Sequence, residues 1–162
     1  RIVIDRGQLK NVALGSPVID AGGVVGQVTR VYPLTSEVTL LTDKDQSIPV
    51  LNSRTGARNI TSGDVLAGLP MIELKFVPAS ADVKEGDLLT TSGIDGVYPA
   101  GLQVARISHI ERRVDISFAR IHASPLAELK GRHVLILQFV QQVLWCSRCR
   151  KLVRVCGGAY KR

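Results

Sequence analysis

Cysteine is missing from most of this chain: all three, Cys146, Cys149 and Cys156, sit near its end. The body must therefore fold without a disulfide staple, and it gives no sign of redox compartment. Aromatic residues are scarce, at 4% of the sequence, so Val, Ile and Leu have to supply the core. No apolar run approaches the roughly 18 residues of a membrane-spanning helix. No secretory leader is recognisable. Arg1 falls inside an expected strand, the pattern of a fragment whose natural start is missing. Net charge is nearly absent from the body as well. The chain carries +7, but residues 1–140 hold 15 Lys+Arg against 14 Asp+Glu, and residues 141–162 hold 6 cations and no acid. The basic average thus belongs to a tail and does not make the body a polyanion binder.

What the chain does have is β-branched residues and glycine. The stretch 83–107, VKEGDLLTTSGIDGVYPAGLQVARI, alternates Leu88, Val97, Leu102, Val104 and Ile107 with Gly86, Gly93, Gly96, Pro99 and Gly101. A helix would not carry that punctuation, because Gly costs backbone entropy and Pro lacks a donor. Short strands around tight turns fit it. A looser echo lies at 14–31. There Gly15-Ser16-Pro17-Val18 matches Gly86-Asp87-Leu88-Leu89, and Gly26-Gln27-Val28 matches Leu102-Gln103-Val104. The echo implies two related β units.

Further strands are expected at 1–5, 12–20, 24–32, 37–42, 47–51, 60–69, 71–77, 106–111, 114–120 and 133–140. Pro49 marks Ser47–Leu51 as an edge strand. The 52–59 segment, with Arg54 and Arg58, reads as a hairpin tip. One short helix is expected over Ser124–Lys130, from a Ser cap, Pro125 in its first turn and Gly131 as its stop. The fold class is all-β, with two small, partly duplicated β-barrels. The expected division puts 1–22 with 97–140 in a discontinuous first barrel and 23–96 in a second, leaving 141–162 as a basic, Cys-containing tail.

Several stretches, in order, resemble the cell-shape protein family MreC. They are Gly15-Ser16-Pro17-Val18, Gly22 to Val28, Leu40-Leu41-Thr42-Asp43 with Ile48-Pro49-Val50, Arg54-Thr55-Gly56, Ala81 to Asp87, and Thr91-Ser92-Gly93 through Val97 to Leu102. The tail beyond Gln141 does not share the likeness. The resemblance implies the extracytoplasmic β part of a single-pass inner-membrane protein, with a coiled coil and two barrels. It implies a non-enzymatic, self-associating scaffold that maintains rod shape. The implied partners are a penicillin-binding protein and other shape proteins of the cell-elongation complex that builds peptidoglycan. Membrane contact would run only through a missing N-terminal helix, with no cofactor and no nucleic acid.

Individual residues carry less. A trypsin-like double-barrel hydrolase would use Ser92 as nucleophile with His109, His122 or His133 as base, but turn geometry explains the glycines around Ser92 equally well. Cys146, Cys149 and Cys156 supply three thiolates where a closed zinc site takes four ligands. Trp145 and Tyr160 among the tail cations would suit a nucleic acid, and a solvated tail explains them too. Arg54, Arg58 and Tyr98 are the candidate interface anchors, since Arg and Tyr are enriched at hot spots. Gly15, Gly26, Gly86, Gly93, Gly96 and Gly101 are expected structural turns.

Overall fold

The computed structural model describes residues 1–66, 69–112, 118–127 and 135–136. Strands dominate. They are β1 (Ile2–Ile4), β2 (Pro17–Ile19), β3 (Val24–Val31), β4 (Ser36–Leu40), β5 (Ser47–Asn52), β6 (Arg58–Leu66), β7 (Leu69–Pro78), β8 (Leu88–Thr91), β9 (Gln103–Glu111), β10 (Phe118–Pro125) and β11 (Leu135–Ile136). A single turn of 3-10 helix spans Gln8–Lys10. The chain is all-β, as its alternating pattern requires.

The strands form a five-stranded sheet in the order β1-β4-β3-β2-β11 and a closed barrel in the order β10-β7-β6-β5-β8-β9. This pairing divides the chain differently from the expected 23–96 unit. β3 and β4 belong to the sheet, and β9 and β10 belong to the barrel. The sheet is discontinuous in sequence, because Leu135 and Ile136 pair with Ile19 and Val18. The glycine-turn half of the echo, Gly15-Ser16 with Gly86-Asp87, recurs as local geometry, but the return strand matches Val28 to Ile107 rather than to Val104. The amide of Gly15 donates to the Val28 carbonyl, and the Val28 amide donates to Ser16. The same two bonds join Gly86 to Ile107 and Ile107 to Asp87. Both glycines sit at positive φ, 83° and 90°, where a side chain would be strained.

Three further expectations do not hold. Pro49 does not mark an edge, since β5 pairs with both β6 and β8. Its carbonyl accepts the Ser92 amide where the β8 ladder runs out, so only one reciprocal bond is forgone. The helix does not start at Ser124. Ser124 and Pro125 finish β10 opposite Arg106 and Ala105, the ladder overriding a weak cap signal. Residues 128–131 lie outside the described residues. Glycine at 26 is not a turn either. It lies within β3, where an added Cβ would stand 2.0 Å from the Thr39 carbonyl oxygen.

The interior is aliphatic. Ile48, Val50, Ile72, Leu74, Leu89, Val104, Ile107 and Ile121 fill the barrel, each at most 2% exposed. A second cluster beneath the sheet holds Val18, Val25, Val28 and Val38. Strand β3 serves both, because successive side chains point to opposite faces: Val24 enters the barrel cluster and Val25 the sheet cluster. A half-buried polar relay continues the joint. The Gln46 side-chain amide donates to Gln27 Oε1 (3.2 Å) and to the Tyr98 hydroxyl (3.4 Å), while Gln27 Nε2 donates to the Gly15 carbonyl (3.0 Å).

Candidate interaction surface

Arg54 is held by the fold rather than left free at the hairpin tip. The turn between β5 and β6 begins with Asn52, whose Oδ1 accepts the amides of Arg54 (2.9 Å) and Thr55 (3.3 Å). That turn aims the guanidinium back across the 82–87 loop. Nε and Nη2 donate to the two carboxylate oxygens of Asp87 at 2.8 and 2.9 Å, a bidentate pair. Nη1 reaches Asp82 Oδ2 at 2.7 Å. Asp87 also accepts from Asn52 Nδ2 (2.8 Å) and the Lys84 amide (3.1 Å).

The Arg54 guanidinium holds the Asp87 carboxyl well below the usual carboxylate range. The hydrogen bonds from Asn52 and Lys84 add to that, and desolvation works against it. Asp82 is lowered chiefly by the same guanidinium. Arg54 is raised in turn, mainly by its hydrogen bond to Asp87. The cluster ties the hairpin tip to the neighbouring loop. Arg58, at the start of β6, is exposed. Tyr98 is not a surface anchor: it is 3% exposed and packs in the barrel core. Its hydroxyl is held above its ordinary pKa, first by burial and then by Asp95.

Among the described residues, the hydrolase candidates Ser92, His109 and His122 each have a different partner. The Ser92 hydroxyl donates to the Pro49 carbonyl at 3.1 Å. His109 Nδ1 faces Glu85 at 3.8 Å, and His122 Nδ1 faces Asp64 at 3.9 Å. His133, the three cysteines, Trp145 and Tyr160 lie outside the described residues. We expect Ser92→Ala to cost about 0.5–1 kcal/mol, one neutral hydrogen bond, with partner binding unchanged. Thermal denaturation and a binding titration check this, and a hydrolase would instead lose turnover.

A surface feature that sequence reading passed over lies on β7. Ile72, Leu74 and Val77 face inward, so the inward period slips by one residue after Leu74. The slip is a β-bulge: Ile121 pairs with Leu74, but Ala119 pairs with Val77. Phe76 is the extra residue, at φ 59°. Its ring meets Phe118 edge-on, with centroids 6.3 Å apart and planes at 84°. Phe76 is 72% exposed and Phe118 52%. The adjacent apolar pair Phe76-Val77, breaking the alternation of Ile72, Leu74 and Phe76, was the available signal.

A barrel filled by its own side chains, joined to an open sheet and carrying its distinctive groups outside, defines a β module that presents surfaces. The family described as "Rod shape-determining protein MreC, barrel core" matches residues 1–138. The chain belongs to this family. It is 42% identical over 138 residues to the cell shape-determining protein MreC of Haemophilus influenzae, covering 85% of this chain and 39% of that protein. The chain thus spans well under half the length of that relative. The crystal structure of MreC from Pseudomonas aeruginosa superposes with a TM-score of 0.80 at 42% identity, covering 85% of this chain and 88% of that one. MreC in a complex with Penicillin-Binding Protein (PBP2) from Helicobacter pylori gives a TM-score of 0.56 at 23% identity, covering 74% of each chain.

Proposed function

We propose that this chain is the extracytoplasmic scaffold module of a rod-shape protein, anchored in the inner membrane by a single preceding helix. It holds a penicillin-binding protein and other shape proteins of the elongation complex by contact area, without chemistry, and it self-associates. The observation that carries this reading is the family match over residues 1–138. The partner solved with the Helicobacter protein supports a penicillin-binding enzyme as one occupant. The packed interior agrees with a role played outside the barrel, since small-molecule sites are concave and largely preformed.

The test is complementation. A full-length family protein carrying residues 1–138 as its barrel core is expressed in rod-shaped cells depleted of their own. Restored rods, with the penicillin-binding enzyme recovered by crosslinking to this module, are the expected result. Round cells despite normal levels of the chimera would overturn the reading.

A further inference from the structure

We propose that β1 is a self-association edge, pairing antiparallel with β1 of a second copy about a two-fold axis at Val3, an inference that rests on the self-association in the reading above. Strand β1 stands at the edge of the five-stranded sheet. It pairs with β4 on one side, and among the described residues no strand or loop bonds its other side. A row of unpaired amides and carbonyls is a template for another strand, and edges that must stay single are blunted by a lysine, a proline or a bulge. β1 carries none of these. Its register with β4 is unbroken. Its middle residue is Val3, 71% exposed on the solvent face, while Ile4 turns into the sheet cluster.

The residues of the edge choose the occupant. Residues 1–5 run Arg-Ile-Val-Ile-Asp. Turned about Val3, that run is its own complement: Arg1 faces the second copy's Asp5, Ile2 faces its Ile4, and Val3 faces its Val3. Residues directly opposite in an antiparallel pair share a face, and β-branched or opposite-charge pairs there are favourable. Parallel pairing would instead set Arg1 beside Arg1 and Asp5 beside Asp5. On the core side, Ile2 and Ile4 already pack on the sheet cluster, so the pairing carries that apolar layer on into the second copy. On the solvent side, Asp5 is exposed and has no ion pair among the described residues. Arg1 meets Glu37 and Asp45 at 3.3 and 3.6 Å, surface contacts weak enough to be shared. A two-fold contact is closed, so this one stops at a dimer with one sheet running through both copies.

The experiment is sedimentation equilibrium of this chain and its variants, with reductant present, up to about 1 mM, where a weak strand pair is measurable. The parent should show a monomer–dimer equilibrium. Val3→Lys sets like charges opposite each other at the axis, so dimerisation should weaken by about tenfold or more while the thermal midpoint holds. Arg1→Asp and Asp5→Arg should each be monomeric alone. Mixed, they should form a heterodimer, because each supplies the charges that the other lacks. Dimers that survive Val3→Lys, or swapped chains that stay apart on mixing, overturn the inference. Species that grow past the dimer with concentration overturn the two-fold pairing. A parent that stays monomeric overturns this inference and the self-association with it, while rods restored in the complementation test leave the rest of the scaffold reading standing.

Discussion

Asp87→Ala should lower the stability of this module by about 2–3 kcal/mol, read from the midpoint of a urea titration. The carboxylate accepts four hydrogen bonds, from Arg54 Nε and Nη2, Asn52 Nδ2 and the Lys84 amide. Removing it strands donors that cannot all reach water, because Asp87 is only 8% exposed. A hydrogen bond to a charged group contributes about 1.5–3 kcal/mol, and an orphaned buried donor costs its desolvation. The exposed half of the cluster, Arg54 with Asp82, adds little, since surface pairs are screened. Asp87→Asn keeps the shape and should lose less.

The same carboxylate sets an acid limit. Its folded pKa is depressed, so its contribution is complete above the unfolded value of about 3.9. It is lost as pH falls from there through the folded value. The parent should therefore lose stability relative to Asp87→Ala below about pH 4, with no difference in slope near neutrality. Parallel curves across that acid window would show that Arg54 does not depress Asp87.

Gly26→Ala is the other large effect expected. The added Cβ would stand 2.0 Å from the Thr39 oxygen and 3.0 Å from Leu40 Cα, both backbone, so no rotamer can relieve it. The β3–β4 ladder, in which Gly26 faces Leu40, must part. We expect a loss of about 3 kcal/mol or more, at the upper end of overpacking. Hydrogen exchange should show lost protection across β3 and β4. Gly56→Ala makes the contrast: φ is 71° but nothing lies within 4 Å of the new Cβ. It should cost only about 1 kcal/mol.

These residues show what the sequence could and could not disclose. The β-branched runs at 24–32 and 106–111 were legible as strands, although β3 buries Val24 on one face and Val25 on the other and β9 begins three residues earlier, at Gln103. Gly15 and Gly86 were legible as turns for the same reason that only glycine tolerates their φ. Gly26 was misread because a close backbone approach across a strand looks, in one dimension, like another turn. The partition failed because pairing between distant strands leaves no local trace. Nothing near Val24 says that its neighbours are β2 and β4, and nothing near Phe118 says that β10 closes the barrel against β7. Tyr98 was misplaced because an aromatic beside proline reads the same whether its ring enters the core or leaves it. Arg54 was found, but its destination required the 82–87 loop to be folded against it.

The return of β11 to the edge of β2 has a mechanical reading. The sheet draws its strands from residues 2–40 and 135–136, so the barrel hangs between them as a side loop of chain. Tension entering through β1 and leaving through β11 would cross the five-stranded sheet and bypass the barrel. The faces of the barrel would then stay undistorted while the neighbouring sheet bears the strain.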